Sequence, residues 1–248
     1  MNKFFVMGLF FLMLACVETR KQPPTAQQIV DSAIKASGGQ VYKTQKVAFT
    51  FRNRNYVSEV IDGKKVVQRI SFSDSMTITD VLENQDFRRF FNDSLIDLPD
   101  TLANRYANSV NSVHYFARLP FGLNDPAVNK TFLGTSAING ENFYKVKVTF
   151  DQDNGGEDFE DTYLYWFDQT TFTPKYLAYE FHVDGGGMRF REAYNERYVG
   201  GIRFVDYNNY KPRDKAVDFF KIDSLFMAEQ LELLSKIELR EIQVTKAN

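Results

Sequence analysis

The sequence predicts a mainly β (α+β) protein in which an antiparallel sheet closes toward a barrel. About a dozen short segments alternate apolar and polar residues, and turn-forming pairs such as Asp62-Gly63 and Asn139-Gly140 separate neighbouring segments. Aromatic residues, which favour strands, make up 15% of the chain. No segment recurs at a period of about 20–50 residues, so the pattern argues against a propeller or solenoid.

The first 15 residues predict a signal peptide. Lys3 supplies a basic start, and an uncharged apolar run extends from Phe4 to Leu14. That run is shorter than the roughly 20 residues that span a bilayer, and it is typical of the apolar region of a secretory signal. Residues 16–24 follow as an attachment site and a polar tether that ends in two prolines. Residues 25–248 are the predicted folded domain.

Cys16 is the predicted site of a lipid anchor. It is the only cysteine of the chain, and it directly follows Met13-Leu14-Ala15. Together these residues resemble a lipobox, where a signal peptidase cuts before a diacylated cysteine. We expect a cell-envelope protein anchored by this lipid, at the outer membrane and facing the periplasm. A chance cysteine in an ordinary signal peptide is the alternative.

The folded domain is predicted to begin with a helix over residues 25–37. Thr25 and Gln28 have the spacing of a capping box, and Gly38-Gly39 supplies the stop. The apolar stripe between them has helical spacing and consists of Ile29, Val30, Ala33 and Ile34.

Short strands are predicted next, as a meander up to residue 98, and they resume around Asn139-Gly140. Between them, apolar residues spaced three and four apart predict a helix over Asp100–Ala117. A short helix is predicted over residues 215–229. One last strand is predicted to include Ile237 and Leu239, then Ile242 and Val244, with a bulge between the two pairs.

The chain resembles the outer-membrane lipoprotein carrier and sorting (Lol-type) family and related envelope lipoproteins of unknown activity. Three stretches carry the resemblance: the helix end Ala36-Ser37-Gly38-Gly39 with the strand 47–51, the hairpin 138–146, and the strand–turn–strand 162–168 with 173–176. The resemblance implies an incomplete barrel with short helices plugging the open side and an apolar cavity between them. A lipid-anchored chain would differ from the soluble carriers of that family, which must cross the periplasm.

The aromatic strand residues are the candidate lining of such a cavity. An acyl chain needs only an apolar slot, because each buried methylene contributes about 0.8 kcal/mol. The alternative is that these residues fill the core of a curved sheet. The candidates are Phe49, Phe51, Phe72, Tyr144, Val146, Val148, Phe150, Tyr163, Tyr165, Trp166, Tyr179 and Phe181.

Charge and motif patterns argue against several other function classes. The 30 basic and 32 acidic residues are mixed along the chain, so no basic footprint for nucleic acid is present. The acidic run at 151–161 departs from a calcium loop at Gly155 and Thr162 and matches a hairpin tip equally well. His114 and His182 lack neighbouring metal ligands, and no nucleophile motif is present. We expect no catalytic residue, no metal and no cofactor.

The sequence therefore predicts a lipid-anchored envelope protein that binds an acyl chain or another apolar ligand, in lipid or lipoprotein trafficking to the outer membrane. An envelope interaction platform without a small ligand is the first alternative, and a hydrolase built on paired carboxylates is the second. The sequence identifies no protein partner.

Overall fold

The computed structural model describes residues 22–153, 159–182, 185–214 and 216–247. The predicted signal peptide and Cys16 lie outside these residues. The first described element is the helix α1, Ala26–Ala36, and its capping box is present: Gln28 N donates to Thr25 Oγ1 at 3.2 Å, and Thr25 N donates to Gln28 Oε1 at 2.9 Å. A one-turn helix, α2, follows at Val41–Thr44.

The next six strands form a meander. They are β1 Gln45–Phe51, β2 Arg54–Ile61, β3 Lys64–Ser73, β4 Met76–Glu83, β5 Asp86–Phe91 and β6 Ser94–Ile96. Each pairs antiparallel with the next, and positive-φ residues such as Asp62 and Gly63 make the tight turns. The predicted meander is confirmed.

A long helix, α3, occupies the predicted span Asp100–Ala117, and a 3₁₀ turn follows at Phe121–Asn124. The second half of the chain adds further strands and one short helix. They are β7 Val128–Ile138, β8 Glu141–Phe150, β9 Thr162–Asp168, β10 Pro174–Phe181, β11 Gly187–Val199, β12 Ile202–Pro212, the helix α4 Ile222–Met227, β13 Leu231–Ile237 and β14 Arg240–Lys246.

The described residues form two seven-stranded antiparallel sheets that do not close on each other. The first has the order β14-β1-β2-β3-β4-β5-β6, and the second has the order β13-β12-β11-β10-β9-β8-β7. Strand β13 is an edge strand of the second sheet, and β14 is an edge strand of the first. The chain passes from one sheet to the other between these two strands. The predicted class, a mainly β protein with an incomplete barrel and few short helices, is confirmed.

The predicted single last strand with a bulge is wrong, because the chain changes sheets at that point. Leu239 lies between β13 and β14, and its backbone groups bond to side chains instead of a strand ladder. Its N–H donates to Asp206 Oδ1 at 3.0 Å, and its carbonyl accepts from Arg197 Nη2 at 2.6 Å. These two hydrogen bonds stabilise the bend at Leu239 between β13 and β14. The alternation of apolar and polar residues in the sequence does not predict this bend.

Helix α3 lies between the two sheets. On one side, buried Val110 packs with Val67 and Leu82 of the first sheet, and His114 Nε2 lies 3.0 Å from the carbonyl oxygen of Gln68. On the other side, Tyr115 and Phe116 pack against the apolar face of the second sheet. The short helix α4 covers the opposite face of that second sheet. The helix α3 therefore plugs the barrel, and its second side faces the candidate site.

Candidate functional site

A cavity of about 460 Å³ lies between α3 and the face of the second sheet that packs against α3. The open end of β1 contributes Phe51 and Arg52 to its wall. The remaining lining residues come from α3, β8–β13 and the adjoining loops: Asn108, Asn111, Ser112, Val113, Tyr115, Phe116, Ala117, Phe150, Asp161, Tyr163, Tyr179, Phe181, Arg189, Arg191, Val205, Tyr207, Asn209, Ile237 and Leu239.

Aromatic rings in mutual contact form much of the wall. The Tyr163 ring centroid lies 5.6 Å from that of Phe150 and 5.5 Å from that of Tyr179. Tyr179 in turn contacts Phe116 of α3 at 5.6 Å and Phe181 at 6.0 Å. Because residues two apart on a strand share a face, Tyr179 and Phe181 both point to the cavity side of β10. The result is a largely apolar wall with phenol groups along it.

The phenols beside the cavity are held in their neutral form. Tyr115 and Tyr165 share a hydrogen bond of 3.3 Å between their hydroxyl oxygens. Burial raises the pKa of Tyr115 to about 12 and raises the pKa of Tyr165 well above its usual value. Burial also raises the pKa of Tyr207, against the opposing charges of Arg203 and Arg191. Tyr115 and Tyr207, which line the cavity, therefore present neutral hydroxyls to it rather than negative charge.

Arg191 brings a charge into this apolar setting. Its side chain is 7% exposed, and its guanidinium carbon lies 3.9 Å from the ring centroid of Phe116 and 5.1 Å from that of Tyr179. Its Nη2 donates to Tyr179 Oη at 3.0 Å, and its Nε donates to Asn209 Oδ1 at 3.4 Å. Aromatic rings thus cover the guanidinium, and neutral oxygens accept from its edge.

Arg189 lies two residues before Arg191 on the same face of β11. It is half-buried, its guanidinium carbon lies 4.9 Å from the Phe181 ring centroid, and its Nη1 donates to the carbonyl of Met188 at 2.9 Å. Among the described lining residues, Asp161 is the only carboxylate, and its Oδ1 lies 3.7 Å from His182 Nδ1. The described lining therefore carries more positive than negative charge.

A second cavity of about 120 Å³ shares Asn111, Tyr115 and Phe150 with the larger one. It is polar, and Lys65 and Arg118 line it. Burial, with a contribution from Arg118, lowers the pKa of Lys65 to about 8. Its volume is well below the range of about 300–1,000 Å³ that is usual for ligand pockets.

The structure brings together five of the twelve residues that the sequence analysis proposed as a lining: Phe51, Phe150, Tyr163, Tyr179 and Phe181. Val146, Val148 and Tyr165 lie on the same face of the sheet but are fully buried in the core beneath it, and Tyr144 is half-buried at the same core.

The other three proposed residues lie elsewhere. Trp166 is fully buried on the opposite face of the second sheet, where its Nε1 donates to Asp223 Oδ2 at 3.2 Å. Phe49 stacks on Tyr56 beside His114, between the first sheet and α3. Phe72 is 63% exposed near the end of β3. Whether any proposed residue contacts a ligand stays a prediction.

Sequence reasoning missed the polar part of the lining. Helix α3 contributes Asn108, Asn111 and Ser112, and β11 contributes the two arginines. The alternation of β11 does place Arg189 and Arg191 on one face, together with buried Ala193. The sequence could therefore have predicted that two arginines share the inward face of β11. What covers that face depends on α3, which is remote in sequence.

The acidic run at 151–161 connects the antiparallel strands β8 and β9, as a hairpin would, although part of it lies outside the described residues. Asp151 accepts a hydrogen bond from Asn129 Nδ2 at 2.6 Å. No group of three or more His, Cys, Asp or Glu side chains that could hold a metal ion converges among the described residues, and Glu157 and Asp158 lie outside them. His114 is buried within the core and His182 is exposed.

In the described part of the chain, no helix has both the length and the apolar character needed to cross a membrane.

The fold and its cavity define an incomplete antiparallel barrel plugged by a helix, and solved structures share this fold. A LolA superfamily protein from Nitrosomonas europaea is 14% identical, with a TM-score of 0.50 over 91% of this chain and 96% of that one. A DUF1329 family protein from Desulfovibrio piger is 11% identical, with a TM-score of 0.51 over 89% and 93% of the two chains.

The protein itself belongs to a family of unknown function (DUF6503), whose model matches residues 5–239. A search of curated proteins finds no match to this chain. The predicted resemblance to the lipoprotein carrier and sorting fold is confirmed at the level of fold by the structural likeness, although sequence identity is low.

Proposed function

We propose that this protein is a lipid-anchored envelope protein that binds an acyl chain or a similar apolar ligand in the cavity beneath α3. The single observation that carries the proposal is that cavity, about 460 Å³ in volume, whose lining is mainly apolar and includes a cluster of aromatic side chains. For comparison, an engineered apolar cavity of about 150 Å³ is known to stay dry and to bind benzene. This cavity is about three times as large and lies in the usual range for ligand pockets.

The energetics favour a flexible apolar chain as the occupant. Each methylene group that leaves water contributes about 0.8 kcal/mol, so about ten of them contribute roughly 8 kcal/mol before the cost of immobilising the ligand. The wall supplies matching apolar surface, because Phe116, Phe150 and Phe181 are among the residues that line the cavity. Such binding requires no catalytic group.

The membrane and the pathway belong to the same proposal. We assign the anchor to Cys16 and the location to the outer membrane, facing the periplasm. There the protein takes part in lipid or lipoprotein trafficking as a tethered binder rather than as a shuttle. The structural likeness to a LolA superfamily protein supports this assignment by its fold.

A substitution that fills the cavity tests the binding. Ser112 is an exposed α3 residue that lines the cavity, and Thr101 is an exposed α3 residue that does not. We expect Ser112→Trp to reduce the uptake of a fluorescent fatty acid by at least about tenfold, because the indole occupies the acyl site. Thr101→Trp is the matched control and should bind like the unmodified protein. Equal uptake by both variants would contradict the location of the site.

A further inference from the structure

Arg191 is a buried cation for which the described residues supply no ion-pair partner. The side chain is more than nine-tenths buried, yet neither Arg191 nor Arg189 forms an ion pair with a described carboxylate. Burying an unpaired ion costs several kcal/mol, and proteins generally pair such ions. Three other arginines that are buried or largely buried follow that rule: Arg69 and Arg89 pair with Asp80, and Arg203 pairs with Glu196.

The geometry of the Arg191 guanidinium leaves room for an acceptor. Phe116 and Tyr179 contact its faces, and its Nε and Nη2 groups donate to Asn209 and Tyr179. The Nη1 group has no hydrogen-bond acceptor among the described residues, although the residue lines the cavity. Arg189, two residues before Arg191 on the same strand face, adds a second guanidinium to the cavity lining.

We propose that the natural ligand is a single-chain amphiphile with an acidic head group, which the guanidinium of Arg191 binds inside the cavity while the acyl chain lies against the aromatic wall. This inference rests on the proposed function and specifies its ligand class. Arginine presents donors in a planar fork that matches a carboxylate or a phosphate, and such charge-assisted bonds are stronger than neutral ones.

The cavity volume favours one chain over two. If each non-hydrogen atom occupies about the 30 Å³ that a water molecule occupies in the liquid, 460 Å³ holds roughly 15 such atoms. That is the size of one acyl chain of medium length with a small head group. The carboxylate of a fatty acid and the phosphate of a lysolipid share the required chemistry.

The test compares three ligands of equal, medium chain length: laurate, dodecyl phosphate and 1-dodecanol. Their dissociation constants are measured on the full-length chain carrying Cys16→Ser, at a pH at which both acids are ionised. We expect at least one acid to bind about tenfold to a hundredfold more tightly than the alcohol. The preferred acid identifies the head group as carboxylate or phosphate.

Substitutions then assign the preference to one residue. Arg191→Met should remove the advantage of the acid, so that acid and 1-dodecanol bind this variant with equal affinity within about twofold, while Arg191→Lys should keep part of the advantage. Arg240→Met, which removes an exposed arginine outside the cavity, is the matched control and should change neither affinity. Arg191→Met should also leave the melting temperature of the ligand-free protein unchanged or higher, because it removes an unpaired buried charge.

The outcomes separate the two proposals. Equal affinity of the unmodified binding site for all three ligands would overturn the acidic head group and leave the apolar cavity standing. Failure to bind any of them would overturn both. The comparison of ligands needs no variant at Arg191, so a folding defect in Arg191→Met leaves the test intact.

Discussion

At the residue scale, two buried arginine environments show how charge is distributed in this protein. Asp80 is 1% exposed, and its two oxygens accept hydrogen bonds of 2.6–3.0 Å from Arg69 and Arg89. Tyr106 of α3 lies beneath Arg89, with 3.5 Å between the guanidinium carbon and the ring centroid. This cluster fixes the first sheet against α3, whereas Arg191, on the other side of that helix, forms no ion pair with a carboxylate in the described part of the chain.

Removal of the Asp80 charge should therefore be strongly destabilising. We expect Asp80→Asn to lower the free energy of unfolding by about 3–5 kcal/mol, because it leaves two largely buried guanidinium groups without a counter-charge. Chemical denaturation checks this value. Glu232→Gln, which breaks an exposed pair with Lys211, is the control and should leave the midpoint unchanged. A midpoint shift of equal size in both variants would refute the structural role of Asp80.

His114 should make the stability depend on pH. Burial is the main cause that lowers its pKa to about 3, and the charges of Lys65 and Arg118 lower it further, against the carbonyl of Gln68. The unfolded chain binds a proton near pH 6.5 and the folded chain does not, so stability is complete above pH 6.5 and falls as the pH decreases from 6.5 toward 3. The loss approaches about 1.4 kcal/mol for each pH unit in that window.

Thermal melting between pH 7.5 and pH 4.5 tests this dependence. His114→Gln can still donate a hydrogen bond toward Gln68 but cannot titrate. It should lose less stability than the unmodified protein over that interval. Identical pH profiles of the two proteins would contradict the lowered pKa, because they would show that His114 binds its proton equally in the folded and unfolded states.

Cys16 carries the prediction of a lipid anchor. We expect the mature protein to begin at Cys16 with a diacylglyceryl group on its sulfur, because the preceding residues resemble a lipobox. Intact-mass measurement of the protein extracted from membranes checks both the cleavage site and the added lipid. Cys16→Ala should abolish the modification, and a cleaved, unmodified cysteine would identify an ordinary signal peptide instead.

At the element scale, the fit of α1 against the second sheet depends on Gly38. This glycine has φ +107°, and an added Cβ would lie 2.5 Å from the carbonyl oxygen of Gly201. The neighbouring Ser37 carbonyl accepts from the backbone N–H of Arg203 at 3.1 Å, which ties the helix end to β12. The close approach explains why the helix stops with a glycine at this position.

Two matched glycine substitutions separate backbone strain from steric overlap. Gly63 has φ +77° in an open hairpin, and an added Cβ there meets nothing within 4 Å. Gly63→Ala should cost about 1 kcal/mol from backbone strain alone, whereas Gly38→Ala should cost about 3 kcal/mol or more, because strain and overlap add. Equal losses in denaturation experiments would contradict the close packing of α1 on β12.

Local sequence signals predict these elements well where the causes are local. The capping box of α1, the hairpin at Asp62-Gly63 and the span of α3 all follow from residues at most four apart. The bend at Leu239 does not, because Asp206 and Arg197, which bond its backbone, lie 33 and 42 residues away in sequence. The change of sheet is therefore a tertiary effect.

The same limit applies to the cavity. Alternation on β9 places Tyr163 and Tyr165 on one face and Trp166 on the other, so strand period alone separates Trp166 from the first two. The strand period does not predict which residues of the inner face line the cavity and which are packed in the core. Tyr163 lines the cavity while Tyr165, two residues away, is fully buried in the core and hydrogen-bonded to Tyr115 of α3.

At the scale of the whole molecule, two open sheets and a helix that plugs them leave an apolar space. The first sheet and the Asp80 cluster hold α3 from one side, and the second sheet supplies the aromatic wall on the other. A core packed to normal density would leave few voids larger than a water molecule. Under our proposal, the volume of about 460 Å³ beneath α3 is the binding site of the ligand.

Lipid mass spectrometry tests this central claim most directly. The full-length chain carrying Cys16→Ser, which cannot carry the anchor lipid, is purified without detergent beside the same chain carrying Ser112→Trp in addition. Both share the apolar N-terminal segment, so only the cavity differs. The account predicts about one co-purifying acyl lipid per chain in the first protein and a clear loss in the second. A lipid-free first protein that also takes up no added fatty acid would contradict the account and favour the interaction platform.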